Sequence, residues 1–190
     1  MKKKSIIFSA PSGSGKSTLI HHLLEVFPEQ LAFSVSACSR DKRANEVDGK
    51  DYHFIGLDRF KQLIQEDAFV EWEEVYRDNF YGTLRSELHK IWASGKIAIF
   101  DVDVAGALAL KNKLEGVVVS CFVMVNDIEE LQKRLLNRGT DDPLNIQKRI
   151  KKAEQELAYK DKFDCVIDNM DKMQAFLQAE NMVRKVLTTQ

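Results

Sequence analysis

The sequence predicts an α/β fold: a parallel β-sheet core with helices on both faces. Three observations predict it. Apolar strand-like runs at 5–9, 96–102, 117–125 and 164–167 alternate with segments of helical periodicity. A Gly/Ser/Pro loop joins the first run to the first helix. No Pro/Gly/Ser-rich linker divides the 190 residues, so one domain is expected, with a polar insertion inside it.

The elements follow in chain order. Residues 5–9 are a short apolar strand and 10–16 the loop. Residues 17–27 read as a helix, with Leu19, Leu23 and Val26 on one face and Pro28 as its stop. From about 32 to 82 the chain is polar and turn-rich, with strand-like pieces at 33–36, 52–54 and 69–75 and a short helix near 57–65. Helical periodicity returns at 83–93. The strand at 96–102 is apolar until Asp101, followed closely by Asp103. A helix (105–114) and a strand (117–125) come next. Asp127 then caps a helix running to Arg138-Gly139. Ile146, Ile150, Ala153 and Leu157 form a helical stripe with Lys148, Arg149, Lys151 and Lys152 around it. A short strand at 164–167 and a helix from Asp171 complete the pattern.

Composition narrows the function classes. Twenty-eight Lys and Arg against 29 Asp and Glu leave a net charge of −1, so neither nucleic acid nor a membrane surface is an expected partner. The chain is 44% hydrophobic and 30% charged, which suits a packed core rather than disorder. No apolar run approaches the ~20 residues of a membrane span, and no signal-peptide core follows Met1. Cys38, Cys121 and Cys165 are widely spaced without a CxxC pair. They read as reduced thiols of a cytoplasmic protein, not as disulfides or a zinc site.

Ala10-Pro-Ser-Gly-Ser-Gly-Lys-Ser17 matches the phosphate-loop pattern, with Ala10 where the first glycine usually stands. The spacing has a chemical reason. Gly13 and Gly15 let successive backbone N–H groups point at one phosphate. Lys16 places a cation on the β- and γ-phosphates, and the Ser17 hydroxyl suits Mg²⁺. The following helix adds its positive N-terminal end. Strand, loop and helix stand in the required order, so a nucleoside triphosphate is the expected ligand.

Two further motifs imitate a GTPase. Asp103-Val-Ala-Gly106 has the DxxG form, and Asn112-Lys-Leu-Glu115 approaches the guanine motif. The second lies only nine positions after Asp103, inside a helix, where a GTPase would need a later strand. The insertion is more informative. Arg40 and Arg43, Tyr52 and Tyr81, and Glu71 within an apolar segment suit a nucleoside monophosphate. Guanidinium forks bind phosphate bidentately, and a carboxylate accepts from the N1–H and N2–H₂ donors of guanine.

From Ser5 to about Asp171 these spaced motifs resemble the guanylate kinase family, nucleoside monophosphate kinases that phosphorylate GMP with ATP. The resemblance implies a P-loop NTPase core (about 1–32, 84–125 and 158–190), a mixed α/β GMP-binding insertion (about 33–83) and a helical lid (about 126–157). By that resemblance Ala10, Pro11, Ser12, Gly13, Ser14, Gly15, Lys16, Ser17, Thr18 and Asn169 bind ATP. Arg40, Arg43, Tyr52 and Tyr81 hold the GMP phosphate, and Ser36, Glu71, Thr83 and Asp103 surround the guanine. Lys16, Arg134, Arg138 and Arg149 are the implied catalytic set, the arginines standing around the transferring phosphoryl group. Mg²⁺ accompanies ATP, held by Ser17 and, through water, by Asp101. ATP and GMP are the implied partners, with dGMP a further acceptor to test, in a monomer or homodimer. Val125-Asn126-Asp127 replaces a Pro-Pro-Ser stretch common in the family, and Asp168-Asn169-Met170 a pattern closer to Val-Asn-Asp.

Histidine has no expected part in the chemistry. The nucleophile is a GMP phosphate oxygen, already anionic near neutral pH, so no general base is needed. Two other readings remain on the sequence. Guanylate-kinase-like interaction modules share the fold but usually carry a damaged phosphate loop, whereas Gly15, Lys16 and Ser17 are intact. A kinase for another small phosphate acceptor is disfavoured by Glu71.

Overall fold

A computed structural model describes residues 3–125, 127–137 and 143–189, by backbone alone at 76, 128, 135, 137 and 143–149. The chain runs through β1 (Lys4–Ser9), α1 (Lys16–Val26) and β2 (Leu31–Phe33). It then leaves the first sheet for β3 (Ala37–Cys38), β4 (His53–Phe54), α2 (Leu57–Gln65), β5 (Phe69–Tyr76) and β6 (Asn79–Leu84). It returns through α3 (Arg85–Ala93), β7 (Ile97–Val102), α4 (Val104–Lys113) and β8 (Val117–Met124). The remaining elements are α5 (Ile128–Asn137), α6 (Pro143–Leu157), β9 (Cys165–Asp168) and α7 (Lys172–Thr188).

Five strands form a parallel sheet in the order β2-β7-β1-β8-β9. Successive side chains of a strand point to opposite faces, so β1 feeds two cores at once. Ile6 and Phe8 pack with Leu19 and Leu23 of α1 and with Ala175, Ala179 and Val183 of α7. Ile7 faces the other way, onto Leu88 and Ile91 of α3 and Ala107 and Leu110 of α4. Both faces of the sheet are therefore covered, and its apolar strands need no alternation.

The insertion builds its own sheet in the order β4-β3-β6-β5, with β3 and β5 antiparallel to β6. Phe60 of α2 is fully buried there and stacks on Phe69 with ring centroids 4.4 Å apart. Burying such a ring contributes about 1.5–3 kcal/mol, and Ala37, Phe69 and Phe80 share the same small core.

Several sequence expectations change. Residues 34–36 are not strand: β2 ends at Phe33, and the chain crosses there from one sheet to the other. The expected helix at 83–93 starts at Arg85, because Thr83 and Leu84 finish β6. Val26 is 40% exposed, and Ile20 and Phe27 take its expected place in the core. Asp103 lies beyond β7 and caps α4, its Oδ1 accepting from Gly106 N at 2.9 Å. Asp127 does cap α5, accepting from Glu129 N at 2.8 Å, whereas Arg138 and Gly139 lie outside the described residues.

All three cysteine thiols are free. His22 stacks on Phe176 and contacts Glu180 at 2.9 Å, a packing role. Among the described residues no helix is long and apolar enough to cross a membrane.

Candidate active site

The carboxyl ends of the parallel strands converge, as open α/β sheets do around their ligands. β1 leads into the phosphate loop, β7 ends at Asp101-Val102, and β9 ends beside Asn169. Ala10 is buried in the core against which α1 packs, so its methyl group fills space that a glycine would leave empty. Gly13 and Gly15 adopt φ of 92° and 86°, a region L side chains rarely enter. Gly15 also caps α1 without any side-chain hydrogen bond, leaving the first N–H groups to an anion. Among the described residues the buried Ser14 hydroxyl has no hydrogen-bond partner, and Ser14 lines the cavity at the phosphate loop.

That cavity, about 300 Å³, is walled by residues 10–17 and by Tyr52, Asp101, Val102, Asp103, Lys152 and Glu156. Lys16 lies directly against the Asp101 carboxylate. Burial lowers its amine to about 7, opposed by the Asp103 and Glu156 carboxylates. A triphosphate brings the negative charge that restores the ammonium form. The Ser17 hydroxyl donates to Asp101 Oδ2 at 2.8 Å. Two hard oxygen donors thus stand side by side at the phosphate end of the cavity, which suits Mg²⁺.

A second cavity, about 310 Å³, opens on the insertion side and is lined by Ser36, Arg40, Arg43, Tyr52, Glu71, Tyr81 and Asp103 among others. Arg40 is the most constrained of these. Its Nε donates to Tyr81 Oη at 3.0 Å, its two terminal nitrogens reach Glu46, and its plane lies 5.2 Å from the Tyr52 ring centre. Arg40 in turn holds the Glu46 carboxyl down at about 2. Arg43 shares the cavity, while its backbone N–H donates to Glu46.

Glu71 and Thr83 face each other across β5 and β6. The Thr83 hydroxyl donates to Glu71 Oε1 at 2.8 Å. Thr83 itself is fully buried and outside the cavity wall, and its hydroxyl orients the Glu71 carboxylate. Glycine at 82 lets β5 approach β6 closely here, since a Cβ would come within 2.9 Å of Glu71 O and Trp72 Cβ. Glu71 is 6% exposed. Burial raises its carboxyl to about 7, against the Thr83 hydrogen bond and with help from Asp103.

Arg134 does not line the phosphate-loop cavity. Its Nε pairs with Glu130 one helical turn away at 2.9 Å, and both terminal nitrogens donate to Asn169 O at 3.2 Å. It shares a neighbouring cavity with Gly15, Thr18, Asn169, Met170 and Phe176. These two anchors hold it on the side of the phosphate loop lined by Gly15 and Thr18. Asn169 ties the parts together: its side-chain amide donates to Ser14 O at 2.6 Å and its backbone N–H to Met124 O. Arg138 lies outside the described residues, as does the side chain of Arg149, whose backbone belongs to α6.

The cavities also contain residues that sequence reasoning passed over: Glu46, Glu73, Lys152 and Glu156. Their only sequence signal is Glu156, a carboxylate one position before the apolar Leu157 in the α6 stripe. It is 9% exposed.

A family model described as Guanylate kinase matches residues 2–186. The guanylate kinase of Bacteroides fragilis is 47% identical over 184 residues, covering 97% of this chain and 90% of that protein. That of Salinibacter ruber is 40% identical over 184 residues, covering 97% of each. Among solved structures, the guanylate kinase from Anaplasma phagocytophilum has a TM-score of 0.76 at 26% identity, covering 99% of this chain and 88% of that one.

Proposed function

Because the chain belongs to the guanylate kinase family, we infer that it transfers the γ-phosphoryl group of ATP to GMP, releasing ADP and GDP. One observation carries this reading at the level of the site. The phosphate-loop cavity and the Glu71 cavity share the wall formed by Tyr52, Asp101, Val102, Asp103 and Lys152, so two nucleotides can meet phosphate to phosphate.

The proposed roles follow from that arrangement. Residues 10–18 and Asn169 form the ATP side, with Arg134 toward the nucleoside end of ATP. Ser36, Arg40, Arg43, Tyr52, Glu71, Tyr81, Thr83 and Asp103 form the GMP side. The core, the insertion at about 33–83 and the lid at about 126–157 are proposed as the working parts, with Arg138 and Arg149 contributed by the lid. The Ser17 hydroxyl and, through water, Asp101 are proposed to hold Mg²⁺, which supplies charge neutralisation at the phosphates when bound. A cytoplasmic location fits these substrates.

Catalysis then rests on positioning and electrostatics. Arg40, Arg43 and the tyrosine hydroxyls fix the GMP phosphate in line with the bond to be broken. Lys16 and the loop amides take up charge on the phosphoryl group and the leaving ADP. Closure of the lid excludes water, the competing acceptor.

The raised Glu71 carboxyl has a consequence for pH. Only its ionised form accepts from both guanine donors. With ATP saturating, so that Lys16 is held as the ammonium, kcat/KM for GMP should therefore fall about tenfold per unit as pH drops below about 7. The GMP phosphate also titrates, near pH ~6. Glu71→Gln isolates the Glu71 component: its profile should stay flat down to the phosphate pKa. An unchanged profile in that variant would assign the titration elsewhere.

The activity is tested by coupled ADP release with GMP, dGMP, AMP, CMP and UMP as acceptors and a control without acceptor. Rapid turnover with GMP is expected, and AMP should be a poor substrate. ADP release with no acceptor dependence would indicate hydrolysis. Silence with every acceptor would favour an interaction module.

A further inference from the structure

Lys152 stands on α6, and the buried Ala153 and Glu156 turn the same part of the helix toward the core. Its Nζ lies 3.6 Å from Asp103 Oδ2 and 3.6 Å from Glu156 Oε1. Asp103 divides its oxygens: Oδ1 caps α4, and Oδ2 is the one turned to Lys152. Glu156 belongs to the phosphate-loop cavity, whereas Lys152 lines both that cavity and the one containing Glu71. Among the described residues, no other basic side chain lines both. Lys16 belongs to the ATP side alone, and Arg40 and Arg43 to the GMP side alone.

A phosphoryl group moving between the two nucleotides must cross this shared boundary. We propose that Lys152 is a further catalytic cation, its ammonium leaving the Asp103 and Glu156 carboxylates to contact the phosphoryl group in transit. This rests on the kinase reading above. In the step, a GMP phosphate oxygen forms the new bond to the γ-phosphorus. The bond from that phosphorus to the bridging oxygen breaks, and ADP departs with the electron pair. Lys152 donates hydrogen bonds throughout and keeps its protons.

The geometry suits a temporary partner. Both carboxylates attract the ammonium from 3.6 Å, and the lysine side chain is 54% exposed, so its head can swing within the shared cavity wall. A phosphoryl group carrying more charge than either carboxylate can draw it away. The unbranched stem of lysine supplies the reach.

The test uses the full chain with ATP and GMP and compares Lys152→Met, Lys152→Arg and the exposed neighbour Lys151→Met. Lys152→Met should lower kcat about 10- to 100-fold, while each KM changes less than about threefold and the melting temperature holds. Lys152→Arg, which keeps the charge, should remain within about threefold of wild type, and Lys151→Met should match it. The proposal is overturned if kcat of Lys152→Met stays within about twofold of wild type. It is equally overturned if only KM for GMP rises, which would make Lys152 a neutraliser of Asp103. A lower melting temperature with no recovery by arginine would show a structural role. A wild-type enzyme inactive toward GMP would instead overturn the kinase reading itself.

Discussion

Replacing Lys16 by alanine or methionine should lower kcat by about 10³-fold or more while leaving the fold and GMP binding in place. A single preorganised donor at a developing charge is worth about 10²–10³ in rate, and Lys16 adds a full charge at a buried position. Folding should tolerate the change. Asp101 keeps the Ser17 hydroxyl as a partner, and the loop keeps its Asn169 tether to Ser14 O. GMP affinity should persist because Lys16 does not line the Glu71 cavity. Steady-state kinetics, thermal melting and calorimetric titration with GMP check the three parts. Turnover near the wild-type rate would remove the phosphate loop from the chemistry.

Glu71→Gln should lower kcat/KM for GMP by about tenfold to a few hundredfold. A charge-assisted hydrogen bond is worth roughly 1.5–3 kcal/mol, and about 1.4 kcal/mol is a factor of ten. Thr83 sharpens the expectation. Its hydroxyl donates to Oε1, so the glutamine carbonyl takes that place and the amide nitrogen turns toward the cavity. A donor then faces the guanine donors. AMP should lose much less, because its N1 accepts from the new amide, and the GMP-to-AMP preference must narrow.

Stability separates this from a folding defect. Burial raises the Glu71 carboxyl to about 7, so the folded chain binds that proton more tightly than the unfolded one. Its contribution to stability therefore falls as pH rises from about 4.5 to about 7 and is flat above. The neutral glutamine avoids that loss, so the variant should melt no lower than wild type at about pH 8. Equal losses for GMP and AMP, with a lower melting temperature, would mean that Glu71 only supports the fold.

The parts of the fold legible in the sequence are those whose signal is local. The phosphate loop is one contiguous segment between a strand and a helix. The helix expected at 57–65 coincides with α2, bounded by Gly56 and the Glu66-Asp67 turn. β6 was hidden because Asn79, Gly82 and Thr83 look like turn residues. Gly82 is there because β5 crowds it, which no sequence window reveals. The strand's end at residue 102 was legible, but the capping role of Asp103 appears only in the Gly106 N–H that its side chain accepts.

The site beyond the loop depends on distant partners. Arg134 enters the candidate site through the family resemblance, and its partner, the Asn169 carbonyl 35 positions later, is visible only in the fold. Lys152 and Glu156 look like one charged flank of an amphipathic helix. Only the packing of Ala153 and Leu157 shows that this flank meets Asp103 and the phosphate loop. Glu46 is a loop charge in sequence and the clasp of Arg40 in space.

The most direct measurement follows the phosphoryl group itself. ATP labelled in its γ-phosphate is mixed with GMP and the enzyme, and the label is located by chromatography and by precipitation of the protein. Direct transfer across the shared wall predicts that the label appears in the β-phosphate of GDP, with none held on the protein and little in free phosphate. Label covalently bound to the chain, or released as phosphate at the same rate with and without GMP, would contradict it.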